Sequence, residues 1–224
     1  MLNIYLADLA NDFKDIDIKT IPIGIGYVGA YCKQRFQDDV NVQPFRIFKS
    51  LFEKAKMEPP DIVGFSSYDW NYNLSLKAAG LIKKEFPKCM IVLGGPNVTA
   101  SPENNRDFLR INSCIDFLVY GDGERPFSNL VHLLIQYQNN NDPVSMVKSL
   151  RIDGVRTLNG DTIQMGQALD IVTDLSLLPS PYISGFLDDL LQNPLLMPII
   201  QNVRGCPYQC CFCVSGSQSS TLRQ

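Results

Sequence analysis

Five short segments in the first 140 residues are predicted strands, and the first of them alternates apolar and other residues. Longer segments whose apolar positions recur at helical spacing lie among them. The runs centred near residues 63, 92 and 118 are almost wholly apolar, which is typical of strands buried on both faces of a parallel sheet. The predicted strands are residues 2–6, 40–48, 62–65, 90–93 and 117–120.

Three helices are predicted between and after these strands. One begins at Pro22, a second occupies residues 74–86 with Leu81 on its inward face, and a third occupies residues 126–137. Strands that alternate with helices predict the α/β class, here a Rossmann-like (flavodoxin-like) doubly wound sheet of five mostly parallel strands within residues 1–140. In such folds the ligand binds beyond the carboxyl ends of the strands.

A polar run at residues 139–143 predicts a domain boundary, so the first domain is expected to comprise residues 1–143. Beyond it, two short segments flank turn-forming residues, which predicts a small β-hairpin. The hairpin and a linker that contains prolines are expected to occupy residues 144–196. Residues 197–224 form a third unit that starts with a predicted strand.

Composition and charge exclude several classes of protein. Of 224 residues, 45% are hydrophobic and 19% are charged, as in globular proteins. The 20 basic and 23 acidic side chains give a net charge of −3, so we expect no nucleic acid partner. The apolar stretches are too short for a transmembrane helix, and the N-terminus lacks the features of a signal peptide. A cytoplasmic location is therefore predicted.

Seven cysteines, an odd number, argue for a reducing compartment rather than a disulfide framework. Cys206, Cys210 and Cys213 have the spacing C-x3-C-x2-C, which lets three thiolates reach one metal centre from a single loop. Three ligands leave one position open, which favours a 4Fe-4S cluster. A zinc ion, which needs a fourth ligand, and the absence of any metal are the alternatives. Cys211, which lies among these cysteines, is interpreted as a bystander.

Polar or glycine-rich loops follow three of the predicted strands. Glycines at strand ends let the backbone approach a large flat ligand closely, so we expect the three loops to converge on one face. The candidate cofactor-binding residues in these loops are Ser66, Ser67, Tyr68, Gly94, Gly95, Pro96, Asn97, Thr99, Gly121, Gly123 and Glu124.

Residues 204–213, RGCPYQCCFC, resemble the cysteine motif of the radical SAM superfamily, with Phe212 in its aromatic position. Upstream, residues 22–31, 94–100 and 121–124 resemble the cobalamin-binding domain of the class B, cobalamin-dependent branch of that superfamily. The segment LSLLPSPY, residues 175–182, resembles the interdomain linker of the same branch. The resemblance covers essentially the whole chain in the family's order.

The resemblance implies a set of cofactors and partners. Cys206, Cys210 and Cys213 would hold a 4Fe-4S cluster whose unique iron binds S-adenosylmethionine, with Phe212 also at the cofactor site. Reductive cleavage of S-adenosylmethionine would then serve radical transfer or methylation of a small-molecule substrate. The electron would come from a donor such as flavodoxin or ferredoxin, and cobalamin would bind in the first domain.

One departure qualifies the resemblance, and one glycine pattern suggests a competing ligand. The D-x-H-x-x-G motif of some cobalamin enzymes is missing, which implies that cobalamin binds without a histidine ligand from the protein. Gly24, Gly26 and Gly29 fit the dinucleotide pattern G-x-G-x-x-G, but more than a dozen residues separate Gly24 from the first strand. A dinucleotide fingerprint requires that strand to run directly into the glycines, so the match argues weakly for a nucleotide.

In the radical SAM family the core is a partial (β/α) barrel, whereas this sequence stops shortly after the cysteine motif. We therefore expect a truncated enzyme that does not turn over alone, or a barrel completed by a second chain. A non-catalytic cobalamin carrier with a vestigial cysteine loop and an interaction protein with a structural zinc are the rival interpretations.

Overall fold

The structure, a computed structural model, describes residues 1–10, 20–206, 208, 210, 213 and 223. In this part of the chain the strands are β1 (Leu2–Ala7), β2 (Val40–Phe45), β3 (Ile62–Ser66), β4 (Met90–Gly94), β5 (Phe117–Val119), β6 (Val155–Asn159) and β7 (Thr162–Met165). The α-helices are α1 (Ile23–Phe36), α2 (Phe48–Met57), α3 (Tyr72–Glu85), α4 (Pro102–Ile111), α5 (Glu124–Tyr137), α6 (Pro143–Lys148) and α7 (Asp188–Leu191).

All these strands belong to one sheet with the order β2-β1-β3-β4-β5-β6-β7. Strands β1 to β5 are parallel, and the strand order reverses between β1 and β3. This confirms the predicted fold class, because a reversal of this kind defines the doubly wound, flavodoxin-like order and its ligand crevice.

The hairpin β6–β7 continues the same sheet in antiparallel fashion. Thr157 of β6 pairs with Phe117 of β5, so the hairpin extends the edge of the parallel strands. From residue 197 onward, the described residues contain isolated bridges, Thr20 with Met197 and Arg204 with Arg223, and no named strand. The start of a radical SAM barrel therefore stays a prediction.

Helices cover both faces of the sheet. On one face α1 and α5 pack against Ile4 and Leu6, and on the other α2, α3 and α4 pack against Tyr5 and Val63. Side chains that alternate along a strand thus enter two different cores, which is why β3, β4 and β5 are apolar without alternation. Within the described residues, every helix falls short of the length and apolar character needed to cross a bilayer.

Several predicted details are wrong. Strand β2 ends at Phe45 rather than at residue 48, because helix α2 begins at Phe48. Leu81 is 50% exposed instead of inward-facing. The small residues Ala78 and Ala79, together with Ile82, form the buried face of α3, and this places Leu81 toward solvent.

The glycines of helix α1 have a packing role. Phe186 and Leu187, at the end of the linker segment (residues 178–187), lie directly over this helix. A Cβ atom on Gly29 would stand 2.1 Å from the Phe186 ring, and one on Gly26 would stand 2.8 Å from a Leu187 methyl group. The glycine spacing that resembles a dinucleotide fingerprint thus lets the linker segment approach the helix backbone.

Gly29→Ala is expected to destabilise the protein, because the added methyl group displaces the buried Phe186 ring. The free energy of unfolding should fall by about 1–3 kcal/mol, the usual range for overpacking. Gly80→Ala in α3 is the matched control, since a Cβ there meets nothing within 4 Å. The control should gain about 0.5–1 kcal/mol from helix propensity. Urea unfolding followed by circular dichroism measures the free energy of unfolding of both variants. Equal changes in this free energy would contradict the packing role.

Candidate cofactor-binding site

A cavity of about 480 Å³ opens at the carboxyl ends of β1, β3, β4 and β5. It lies beside the strand reversal, where doubly wound sheets bind their ligands, and its volume falls in the range of about 300–1,000 Å³ typical of small-molecule sites. Its walls come from the loops after these strands, from the start of α1 and from the strap, which we define as residues 201–205.

The loops after β3 and β4 are joined backbone to backbone. The N–H group of Ser67 donates a hydrogen bond to the carbonyl oxygen of Gly94 at 2.7 Å, and the N–H group of Asn97 donates to the carbonyl oxygen of Ser67 at 3.3 Å. Gly95 has φ +103°, and a Cβ there would stand 2.8 Å from the Ser67 carbonyl oxygen. Only glycine allows the two loops to meet at this distance and in this conformation.

The loop after β5 contributes Gly121, with φ +79°, and Gly123. A Cβ on Gly123 would stand 3.1 Å from Val28 of helix α1, so the loop passes close to that helix. Glu124 then begins helix α5 and is only 3% exposed. Its carboxylate is therefore buried at the first turn of that helix.

The structure brings most of the predicted residues to the cavity wall. Those that line the cavity are Ser66, Tyr68, Gly94, Gly95, Pro96, Gly121, Gly123 and Glu124. Three others, Ser67, Asn97 and Thr99, are not among the lining residues and hold the loops together instead. Phe212 lies outside the described residues.

The bonds of these three residues explain their position. The side-chain amide of Asn97 donates to the Ser67 hydroxyl at 3.3 Å. The guanidinium of Arg156, on β6, donates to the carbonyl oxygens of Thr99 at 2.6 Å and Ala100 at 3.0 Å, and it also packs over the Tyr120 ring. The hairpin thereby fixes the loop after β4.

Asp8 is a cavity-lining residue that the sequence analysis missed. It follows β1 directly, and a polar residue just after a buried parallel strand is the signal that could have revealed it. Burial raises the pKa of the Asp8 carboxyl, although Arg46 at 3.4 Å and the Asn71 amide, which donates to it at 2.8 Å, act in the opposite direction.

Tyr68 brings an aromatic ring to the cavity wall. Its ring stacks on that of Trp70 with the centroids 4.4 Å apart and the planes 8° from parallel. Burial raises the pKa of the Tyr68 hydroxyl, and the negative charge of Asp8 raises it further to a smaller extent. Trp70 itself is 54% exposed and packs on the outer side of Tyr68.

Arg204 connects the strap to the loop after β5. Its guanidinium donates to the Glu124 carboxylate at 2.5 Å and lies 3.7 Å from the carboxylate of Asp122, which also pairs with Arg223. Burial alone would lower the pKa of Arg204, but the two carboxylates raise it above its ordinary value. The guanidinium also stands over the Tyr27 ring, 5.0 Å from its centroid.

The predicted metal ligands follow the strap. Cys206 and Cys213 are half-buried, Cys210 is exposed, and the N–H group of Cys213 donates to the Cys210 carbonyl oxygen at 3.1 Å. Among the residues that the structure describes, no three Cys, His, Asp or Glu side chains are placed to share a metal ion. The three thiols are near one another along the chain but are not gathered as cluster ligands.

The raised pKa of Asp8 predicts a pH dependence of stability. Because folding favours its protonated form, the contribution of Asp8 is present below the ordinary pKa of 3.8 and is lost as the pH rises through the raised value. Asp8→Asn is neutral throughout, so its stability relative to the wild type should increase from about pH 4 to pH 7. Urea unfolding at several pH values measures the trend, and Asp69→Asn, exposed on the neighbouring loop, gives the baseline. A difference that does not vary with pH would contradict the assignment.

The family model of the B12 binding domain matches residues 14–131 of the chain. The chain is 32% identical over 175 residues to the 2-(S-pantetheinyl)-carbapenam-3-carboxylate methyltransferase of Streptantibioticus cattleyicolor. It is 31% identical over 171 residues to the cobalamin-dependent radical SAM methyltransferase TokK of Streptomyces tokunonensis. These matches cover 75% and 74% of the chain but only 24% of each relative, so the chain spans about a quarter of their length.

Among solved structures, the fold is similar to that of OxsB, a cobalamin-dependent S-adenosylmethionine radical enzyme. The structure of OxsB with aqua-cobalamin and S-adenosylmethionine bound matches with a TM-score of 0.64 and 17% identity, over 95% of this chain and 28% of OxsB. The structure with aqua-cobalamin alone matches with a TM-score of 0.66. The similarity at this identity establishes the shared fold. The chain belongs to the B12-binding domain family and is homologous to cobalamin-dependent radical SAM methyltransferases.

Proposed function

We propose that the chain binds cobalamin in the cavity at the carboxyl edge of the sheet, as the N-terminal part of a radical SAM methyltransferase. One observation carries the proposal. The cavity lies at the strand reversal, and its glycine loops belong to the region that matches the B12 binding domain. Pro96 and Gly121 are exposed on this wall, and no Cβ at Gly121 would meet another atom within 4 Å, so the loops leave room for a flat ligand.

The residues around the cavity would hold and orient the cofactor. Backbone at Gly95 and Gly121 can approach the corrinoid, and the Tyr68 ring adds an apolar surface beside it. The histidine of the chain, His132, lies exposed on α5 and stacks with Phe36 with the ring centroids 6.4 Å apart, away from the cavity. Cobalamin would therefore bind without a histidine ligand from this chain. When bound, it supplies a cobalt ion that can carry a methyl group.

Cys206, Cys210 and Cys213 are proposed to hold a 4Fe-4S cluster that takes S-adenosylmethionine, with Phe212 beside it. The cysteine spacing and the homology to radical SAM methyltransferases support this. Thiolates are the usual ligands of such clusters, and the three thiols would have to converge when the cluster is assembled. An electron donor of the flavodoxin or ferredoxin type and a small-molecule substrate complete the proposal, in a reducing, cytoplasmic setting.

Exposed apolar side chains between residues 183 and 200 support contact with further protein structure. Ile183 is 92% exposed and Ile200 is 84% exposed, and Leu195 and Met197 are also largely open. In the proposed enzyme this surface contacts the remainder of the catalytic core, in the same polypeptide or in a second chain. Apolar surface of this kind commonly marks a protein interface.

A non-catalytic cobalamin carrier is the second candidate function. It is favoured by the contrast between a formed cavity and three thiols that are not gathered around a metal position. The two functions differ in the cysteines alone, because both require the corrinoid site. Iron binding by the reconstituted chain therefore distinguishes them.

Titration with cyanocobalamin tests the corrinoid site, because the cyanide ligand keeps the cobalt from reacting with free thiols. The wild type is expected to bind, with a change in the corrinoid absorbance. Gly95→Ala should weaken binding at least about tenfold, because its methyl group forces apart the two loops that form the wall. Gly80→Ala on α3 is the control and should bind as the wild type does, since its methyl group meets nothing within 4 Å and Gly80 is not a lining residue. No binding by the wild type would refute the proposed cofactor, and equal affinities in the two variants would refute the role of Gly95.

Anaerobic reconstitution with iron and sulfide tests the cluster. Alanine at position 206, 210 or 213 should each abolish the broad visible absorbance of the cluster, because all three thiolates are needed as ligands. Cys211→Ala, the matched control, should keep most of the absorbance. Loss in the Cys211 variant with retention in the Cys206 variant would show that the ligand set is different. Stoichiometric zinc without iron would favour a structural metal, and neither metal would favour the carrier.

A further inference from the structure

The strap closes one side of the cavity and leads directly into the first cysteine of the motif. Gln201, Val203, Arg204 and Gly205 line the cavity, and Cys206 is the next residue along the chain. A molecule that fills the cavity therefore contacts the segment that carries Cys206. The corrinoid site and the proposed cluster loop share a wall.

Arg204 connects the strap to the loop after β5 on the opposite side of the cavity. Its guanidinium pairs with Glu124 and Asp122, and its Nε–H donates to the side-chain oxygen of Gln201 at 3.1 Å. The hydroxyl of Tyr27, whose ring lies under the guanidinium, donates to the Gln201 carbonyl oxygen at 3.2 Å. The contacts with Tyr27, Asp122 and Glu124 join the strap to α1, to the loop after β5 and to α5, whereas the Arg204–Gln201 hydrogen bond lies within the strap.

The pairing of Arg204 with Glu124 favours the position of the strap across the cavity mouth. The Glu124 carboxylate is buried, and a buried carboxylate that loses its cation is strongly disfavoured. The guanidinium reaches Glu124 and Asp122 only when the strap lies across the cavity mouth. We call this arrangement of the strap held. In a released arrangement Glu124 would lose its cation, whereas Asp122 would keep its pair with Arg223.

We propose that Arg204 is a positioning residue that couples occupancy of the cavity to the placement of Cys206. The proposal rests on the proposed binding of a corrinoid. A corrinoid that packs against the held strap favours the held arrangement, and Cys206 is then kept beside the cavity. By linkage, cluster assembly on the held strap should raise the affinity for the corrinoid by the same factor as the corrinoid raises the affinity for the cluster.

A merely structural ion pair makes a different prediction. Removing it would lower the stability of the protein but would leave the effect of the corrinoid on Cys206 unchanged. The informative quantity is therefore the ratio of Cys206 reactivity without and with the corrinoid, measured in each folded variant. Thermal unfolding by circular dichroism reports stability separately.

Alkylation of Cys206 by iodoacetamide, followed site by site with mass spectrometry, measures this ratio in cluster-free protein. Saturating cyanocobalamin should slow alkylation of Cys206 in the wild type at least about fivefold. Cys114, in the connection between α4 and β5, is the internal reference and should react at an unchanged rate. In Arg204→Gln the slowing at Cys206 should fall below about twofold.

Arg125→Gln is the matched control, because Arg125 neighbours Glu124 but donates to the carbonyl oxygen of Asp170 at the surface. It should behave as the wild type. If Arg204→Gln does not fold, Glu124→Gln breaks the same ion pair from the other side and should also reduce the slowing. Cyanocobalamin binding without slowing at Cys206, or full slowing in both ion-pair variants, would overturn the coupling alone. Absence of binding by the wild type would overturn the coupling and the proposed function together.

Discussion

Burial of both faces of the sheet is the constraint on which the rest of the structure depends. Helices α1 and α5 cover one face and helices α2 to α4 cover the other, so the apolar side chains of β1, β3, β4 and β5 enter one of two cores. Backbone groups that could meet a ligand are then accessible at the strand ends. The loops after β1, β3, β4 and β5 are gathered at one edge for this reason, and the position of the cavity follows from the layering.

Glycines serve three different physical needs around this edge. Gly29 lets a linker side chain approach a helix backbone, Gly95 lets two loops meet, and Gly121 supplies a left-handed turn that faces open space. In the sequence these glycines look alike. The atoms opposite each missing Cβ distinguish them, and those atoms come from segments distant in the chain.

The fold class could be predicted because three of the parallel strands, β3, β4 and β5, are nearly continuous apolar runs. Helix α4 could not, because its sequence PENNRDFLRI is mostly polar, has its large apolar residues only in the last turn, and buries only Asn105 and Leu109. At the site, Gly95 and Tyr68 were found from their place after strands. Arg204 gave no such signal, since its partner Glu124 lies 80 residues earlier and their pairing depends on the finished fold. Ser67 and Thr99 lie in loops that form the cavity wall, as predicted. Hydrogen bonds to other elements give these two residues a structural role instead of a place in the cavity lining.

The pairing of β6 with β5 has a practical consequence for dividing this protein into pieces. The region matched by the B12 binding domain ends at residue 131, and the polar run at residues 139–143 looks like a natural place to cut. A fragment cut there would expose the backbone edge of β5, a surface that promotes aggregation. It would also lose Arg156, the guanidinium that fixes residues 99–100 beside the cavity. The smallest self-contained unit therefore includes the hairpin and the linker segment on α1, and its limits are set by strand pairing rather than by the ligand loops.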